Sequence, residues 1–211
     1  MHPDYLSNAY LVADDEGGIA VYVDSGAPLE PLRAAAERWQ VEPRFVLRTH
    51  SHQDHVEHED ELGLPVRTDA LEVGGLRIEA IATPGHSDDM VAFVVNDEAV
   101  FTGDTLFKDS VGGGNFDQVK RSVMDVLLAL PHELRVLPGH TDETTIGRER
   151  EHNPFVRYWR GLEEGSDHCR VGGEDATLVV WSPDYDGKGK ALVRFADGRE
   201  AIVGGSRVER V

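Results

Sequence analysis

The segment Thr49-His50-Ser51-His52-Gln53-Asp54-His55 sets three imidazoles and a carboxylate within six residues, a grouping that has no advantage for packing. Nitrogen and oxygen donors gathered in this way suit a first-row transition metal. The preceding Arg44–Arg48 reads as a buried strand, so the cluster falls where a strand runs into a loop. In an extended stretch His50 and His52 point to the same side, because side chains repeat every two residues. Asp54 and His55 follow once the chain bends, and can face a second centre.

Three later turns repeat the arrangement. His86 stands in Thr83-Pro84-Gly85-His86-Ser87, Asp104 in Thr102-Gly103-Asp104-Thr105 and His140 in Leu137-Pro138-Gly139-His140-Thr141. Each follows an apolar, strand-like run: Ile78–Ala82, Ala99–Phe101 and Leu134–Leu137. Each also has a glycine just before it, which lets the backbone turn sharply and approach a crowded centre. A chain that delivers His or Asp at four strand ends in a row must bring those ends to one edge of a sheet.

These motifs, HSHQDH at 50–55, PGH at 84–86, TGDTLF at 102–107 and PGH at 138–140, resemble those of the metallo-β-lactamase superfamily. The glyoxalase II (hydroxyacylglutathione hydrolase) branch is most similar, over roughly residues 5–157. The resemblance implies that His50, His52 and His86 hold one metal and that Asp54, His55 and His140 hold a second, with Asp104 bridging both. Asp54 and Asp104 are then also the catalytic carboxylates. It implies two divalent ions, zinc first with iron or manganese as alternatives, and an α+β fold built as a four-layer αββα sandwich. The segment Thr144–Phe155 is similar to the terminal helix of small members of this branch.

Elementary electrostatics gives such a site its chemistry. Two divalent cations outweigh Asp54 and Asp104, so a water between them is acidified to a pKa of around 7. The hydroxide formed there can attack a carbonyl whose oxyanion a metal stabilises. That the carbonyl belongs to an acyl thioester is what the resemblance implies. Three alternatives are carried beside it: a persulfide dioxygenase with one iron on His50, His86 and Asp104; a lactone hydrolase; and a non-catalytic metal-binding module. A true β-lactamase is disfavoured, because Asp104 stands where those enzymes lack a bridging carboxylate.

The chain departs from glyoxalase II in two places. That enzyme grips glutathione with basic residues of a C-terminal helical domain, where this chain has a short β-rich segment. In the loop Lys108–Phe116, Gly114 occupies a place where related small members often carry an arginine. That loop is expected to border the substrate.

Composition bounds the rest. With 211 residues, 40% of them hydrophobic, the chain can bury a substantial core. A main domain is expected over 1–165. Residues 172–211 are expected to form a small β appendage that caps the core or makes an oligomer contact, joined through 161–165 and Gly172-Gly173. Asp186, Asp197 and Glu200 are read there as turn residues rather than ligands. The lone Cys169 reads as a buried thiol. A net charge of −18 repels a phosphate backbone and argues against nucleic acid as partner. No secretory signal and no run of membrane-spanning length is seen, so a cytoplasmic protein with a small-molecule substrate is expected. Helices are predicted over Pro28–Trp39 and Asp117–Leu130, the first burying Leu29, Leu32, Ala36 and Trp39.

Overall fold

The computed structural model describes residues 1–2, 4–165 and 167–211. The alternating stretches β1 (Tyr10–Ala13) and β2 (Ile19–Val23) pair antiparallel across an acidic turn. After α1 (Glu30–Trp39), β3 (Glu42–Leu47) lies parallel to β2. Two short helical turns, α2 (Gln53–Val56) and α3 (Glu59–Leu62), lead to β4 (Val66–Arg67), which closes a sheet of order β1-β2-β3-β4.

The second sheet begins with β5 (Leu71–Val73), β6 (Leu76–Ala82), β7 (Val91–Val95) and β8 (Ala99–Gly103). β7 and β8 turn over Asn96 and Asp97, both at positive φ, which these residue types tolerate. A small hairpin follows, β9 (Leu106–Phe107) with β10 (Ser110–Val111), and then α4 (Phe116–Arg121). Next come β11 (Arg135–Pro138), β12 (Thr144–Thr145), α5 (Ile146–His152) and α6 (Pro154–Trp159). The order in this sheet is β12-β11-β8-β7-β6-β5.

Side-chain alternation decides the layering. Val21, Val23 and Leu47 of the first sheet meet Ile78, Phe93 and Phe101 of the second in a dry inter-sheet core. On the outer face of the first sheet α1 packs Ala36 against Ala20 and Val41. On the outer face of the second, Val119, Val123, Ile146 and Phe155 cover Ala92, Val94 and Val100. The result is the αββα sandwich of α+β class that the sequence motifs imply. Among the described residues no helix is long and apolar enough to cross a membrane.

Several local expectations are corrected. The stretch 117–130 is α-helical only over α4; Ser122–Val126 widens to a π-helix and Leu127–Ala129 tightens to a 3-10 turn. Val119, Val123 and Leu127 are all fully buried, and a strict repeat of four drifts off an α-helical face. A wider turn keeps all three inward. The segment 144–155 breaks at Asn153, which precedes Pro154 and is pushed out of helical geometry, its side chain capping α6. Trp39 is 38% exposed rather than inward, with the Arg38 guanidinium over its ring. The alanines at the α1–sheet contact leave no depth for an indole.

The C-terminal sheet comprises β13 (Asp167–Val171), β14 (Glu174–Ser182), β15 (Lys190–Phe195), β16 (Glu200–Gly204) and β17 (Val208–Arg210), in the order β16-β15-β14-β13-β17. It starts ahead of residue 172 because Gly172-Gly173, both at positive φ, is a hairpin turn and not a joint. Cys169, Ala191 and Val193 bury against one another, whereas Val180, Leu192 and Ile202 join the main core beside Phe155. Asp186 and Asp197 do accept backbone N–H groups in turns, from Lys188 and Arg199. Glu200 instead lies in β16, accepts from the Tyr158 hydroxyl and pairs with Arg194 at 3.2 Å.

One buried carboxylate fastens these parts together. Glu149 of α5, fully buried, accepts from Thr144 Oγ1 (2.6 Å), the Asp109 backbone N–H (2.8 Å), Arg148 (2.7 Å) and the Asn153 amide (3.0 Å). Asp109 precedes β10 and its carbonyl accepts from Ser182 Oγ of the C-terminal sheet at 2.5 Å. Glu149→Ala would strand several of these donors in the interior, at about 1–3 kcal/mol for each buried group left unpaired. Urea unfolding is therefore expected to show a stability loss of about 3 kcal/mol. A loss under about 0.5 kcal/mol, ordinary for a surface site, would contradict this role.

Candidate metal centre

The structure brings together all seven residues singled out from the sequence. His50 follows β3, with His52 beyond it and Asp54 and His55 in α2. His86 follows β6, Asp104 follows β8 and His140 follows β11. Three groups have donor atoms within 4.8 Å of one another: His50, His52 and His86; His50, His55 and Asp104; and Asp54, His55 and His140.

In the first group His52 turns Nδ1 towards His50 Nε2 at 3.1 Å and His86 Nε2 at 2.9 Å. In the last, Asp54 Oδ2 lies 3.5 Å from both His55 Nε2 and His140 Nε2. Asp104 reaches into both groups. Its Oδ1 is 3.4 Å from His55 Nε2, and its Oδ2 is 3.3 Å from His140 Nε2 and 3.5 Å from His86 Nε2. Ligands ~2.0–2.1 Å from a tetrahedral ion stand roughly 3.3–3.5 Å apart, so these spacings suit shared cations. Two inward-facing atoms, His55 Nε2 and Asp104 Oδ1, are buried without a hydrogen-bond partner among the described residues. A metal would satisfy both.

The candidate ligands are held from behind. Asp24, which sequence reasoning missed, accepts from His55 Nδ1 at 2.8 Å and from the Thr49 N–H and hydroxyl, each at 2.8 Å. His50 Nδ1 meets Thr49 Oγ1 at 3.1 Å, and His86 Nδ1 meets the Gly113 carbonyl at 3.1 Å. Each contact fixes the ring and leaves the opposite nitrogen facing inward. The signal for Asp24 was present in Val23-Asp24-Ser25-Gly26, another acid at a strand end. A Cβ on Gly26 would lie 1.6 Å from the Asp54 carbonyl oxygen, so this turn fits under α2 only as glycine.

The glycines of the Lys108–Phe116 loop also sit beneath the ligands. A Cβ on Gly112 would lie 1.9 Å from the Asp104 carbonyl oxygen, and one on Gly114 2.2 Å from that of Gly85. Their absence of side chains serves close packing. His50, His55, Asp104 and His140 are buried, while His52 is exposed and His86 and Asp54 are intermediate, so the centre opens on that side. The other histidines lie outside the three groups; His58 pairs with Glu61 and His2 with Glu57, each at 2.7 Å.

Burial and mutual charge set the proton inventory. Burial, helped by neighbouring His55, lowers the His50 pKa to about 3. Burial also lowers that of His86. For His55 burial opposes the charged form, yet Asp24 and Asp104 outweigh it and raise its pKa to about 11. Burial likewise works against ionised Asp104, but His140 and His55 hold its pKa well below the ordinary carboxylate value.

No family model matches the chain. An uncharacterised protein of Mycobacterium tuberculosis is 32% identical over 206 residues, covering 71% of this chain and 92% of that one. Hydroxyacylglutathione hydrolase GloC of Haemophilus influenzae is 26% identical, covering 72% and 93%. Among solved structures, the BLEG-1 B3 metallo-β-lactamase superposes with a TM-score of 0.67 at 27% identity, covering 74% and 96%. ETHE1 from Myxococcus xanthus gives 0.62 at 31%, covering 72% and 80%. TTHA1623 in a di-iron-bound form gives 0.61 at 31%, covering 74% and 98%. With the αββα layers and the four ligand-bearing turns, these likenesses establish that the chain belongs to the metallo-β-lactamase superfamily. Its relatives there include hydroxyacylglutathione hydrolases.

The raised His55 pKa has a measurable consequence. Below about 11 the metal-free centre keeps a proton on His55 that a metal at Nε2 must displace. Metal uptake at pH 7 should therefore release about one proton, and affinity should rise with pH. Calorimetry in two buffers of different ionisation enthalpy reads this directly. Uptake without proton release would show that His55 is neutral or is not a ligand.

Proposed function

We propose that this protein is a binuclear metal-dependent hydrolase of acyl thioesters, with His50, His52 and His86 holding one ion and Asp54, His55 and His140 the other. The observation that carries the reading is Asp104, whose two oxygens reach ring nitrogens of both groups. Divalent metals, zinc in this reading, supply Lewis-acid polarisation of a carbonyl and an acidified water.

The side chains supply the rest. Asp104 is buried and offsets cationic charge between the two groups, fixing their separation. Asp54, only partly buried, stands on the open side; with Oδ2 turned to His55 and His140, its other carboxylate oxygen is left to orient a water and take its proton. One water adds across the acyl C–S bond: the carbonyl carbon keeps the hydroxyl, and the departing sulfur takes the proton. The rim formed by His52 and His86 admits the electrophile.

The similarity to a hydroxyacylglutathione hydrolase and to a di-iron protein supports this chemistry. A mononuclear iron dioxygenase on His50, His86 and Asp104 is the second reading, favoured by the likeness to ETHE1. It leaves the Asp54, His55 and His140 group, braced by Asp24, without a task. The net charge of −18 supports a small-molecule substrate over nucleic acid.

Asp104→Asn keeps the size of the side chain and removes its charge. Hydrolysis of a 2-hydroxyacyl thioester should fall roughly 10²–10³-fold while the circular dichroism spectrum stays folded. Ser87→Ala, beside a ligand, removes only a hydrogen bond to Asp89 and should be far milder. Full thioesterase activity in metal-depleted Asp104→Asn protein would refute the proposal. Oxygen uptake on a persulfide without thioester cleavage would transfer it to the dioxygenase.

A further inference from the structure

His140 differs from the other buried ligand histidines in what holds it. The Nδ1 atoms of His50, His55 and His86 each meet an oxygen, but His140 Nδ1 is buried with no hydrogen-bond partner among the described residues. The support for its ring comes from the C-terminal sheet. Between β14 and β15 the chain brings Tyr185 face to face with the imidazole, centroids 3.8 Å apart and planes within 6°. Phe107 packs edge-on against both rings, at 5.7 Å from His140 and 6.3 Å from Tyr185.

This connection is anchored on both sides. Lys190 Nζ, largely buried, pairs with Asp184 Oδ2 at 3.2 Å and lies 5.0 Å over the Phe107 ring. Ser182 Oγ donates to the Asp109 carbonyl, in the loop that Glu149 fastens to α5. Tyr185 is therefore delivered by a braced segment.

We propose that Tyr185 is a positioning residue of the metal centre: its ring fixes the plane of His140. The C-terminal sheet is then part of the active site as well as a cap on the core. This rests on the reading of the chain as a metal-dependent hydrolase.

The test is a competition titration of metal-free wild type, Tyr185→Ala and Tyr185→Phe with Zn²⁺ or Co²⁺ against a chromophoric chelator. Tyr185→Ala should bind one of its two ions roughly 10–100-fold more weakly, the usual cost of losing an outer partner of a ligand, and should alter the Co²⁺ ligand-field spectrum. Tyr185→Phe keeps the stack, so it should restore affinity and spectrum. Wild-type metal affinity and spectrum in Tyr185→Ala, or failure of Tyr185→Phe to restore them, would overturn the positioning role. Metal retention does not require that a thioester be the substrate, so failure of the thioesterase reading is seen separately.

Discussion

Asp24 is the carboxylate on which the centre is built. It is 3% exposed, takes three hydrogen bonds from Thr49 and His55, and sits at positive φ where β2 ends. Through it the ends of β2 and β3 and the start of α2 become one rigid corner. A buried carboxylate is tolerable only when its oxygens are satisfied and opposing charge is near. Here Thr49 provides the hydrogen bonds and His55 the charge. Once a metal displaces the Nε2 proton, the same pairing with Asp24 keeps the neutral His55 ring basic towards the interior, as a metal ligand should be.

Around that corner, close backbone approach does the remaining work. Gly139 has no room for a side chain, since a Cβ would lie 2.3 Å from Asp104 Oδ1. Asn8 donates to the Pro138 and Thr141 carbonyls, and Ser7 Oγ donates to the Asp54 carbonyl at 2.6 Å, so the N-terminal segment ties two ligand loops together. Such preorganisation costs stability in the empty protein, because like-charged or desolvated imidazoles are crowded together. The depressed pKa of His50 reflects that crowding, and cations at the centre would relieve it.

Much of this was legible in the chain. Polar residues after apolar runs located all seven candidate ligands, because strand ends with glycines leave a chemical trace in the sequence. Alternation marked the β1–β2 hairpin, but periodicity alone gave no more than mixed α and β; the αββα layering came from the family resemblance, because β7 and β8 are buried on both faces. The parts that escaped depend on distant contacts. Asp24 looks like an ordinary strand end until Thr49 and His55 are seen against it. Tyr185 lies in a turn with no motif, and only the packing of the C-terminal sheet brings it to His140. The π-helix at Ser122–Val126 arises from tertiary demand on Val119, Val123 and Leu127, where local propensity favours a plain helix. Gly172-Gly173 was ambiguous for a related reason: a glycine pair suits a linker and a tight hairpin equally, and strand pairing decides.

In the function proposed here, two groups of candidate ligands, joined by Asp104, make one binuclear centre. Elemental analysis of protein purified without chelator, beside Asp54→Ala, tests it most directly. The account predicts about two transition-metal ions per chain in the wild type, falling towards one in Asp54→Ala, which removes a ligand from only one group. A single tightly held iron per chain, unchanged by Asp54→Ala, would contradict it.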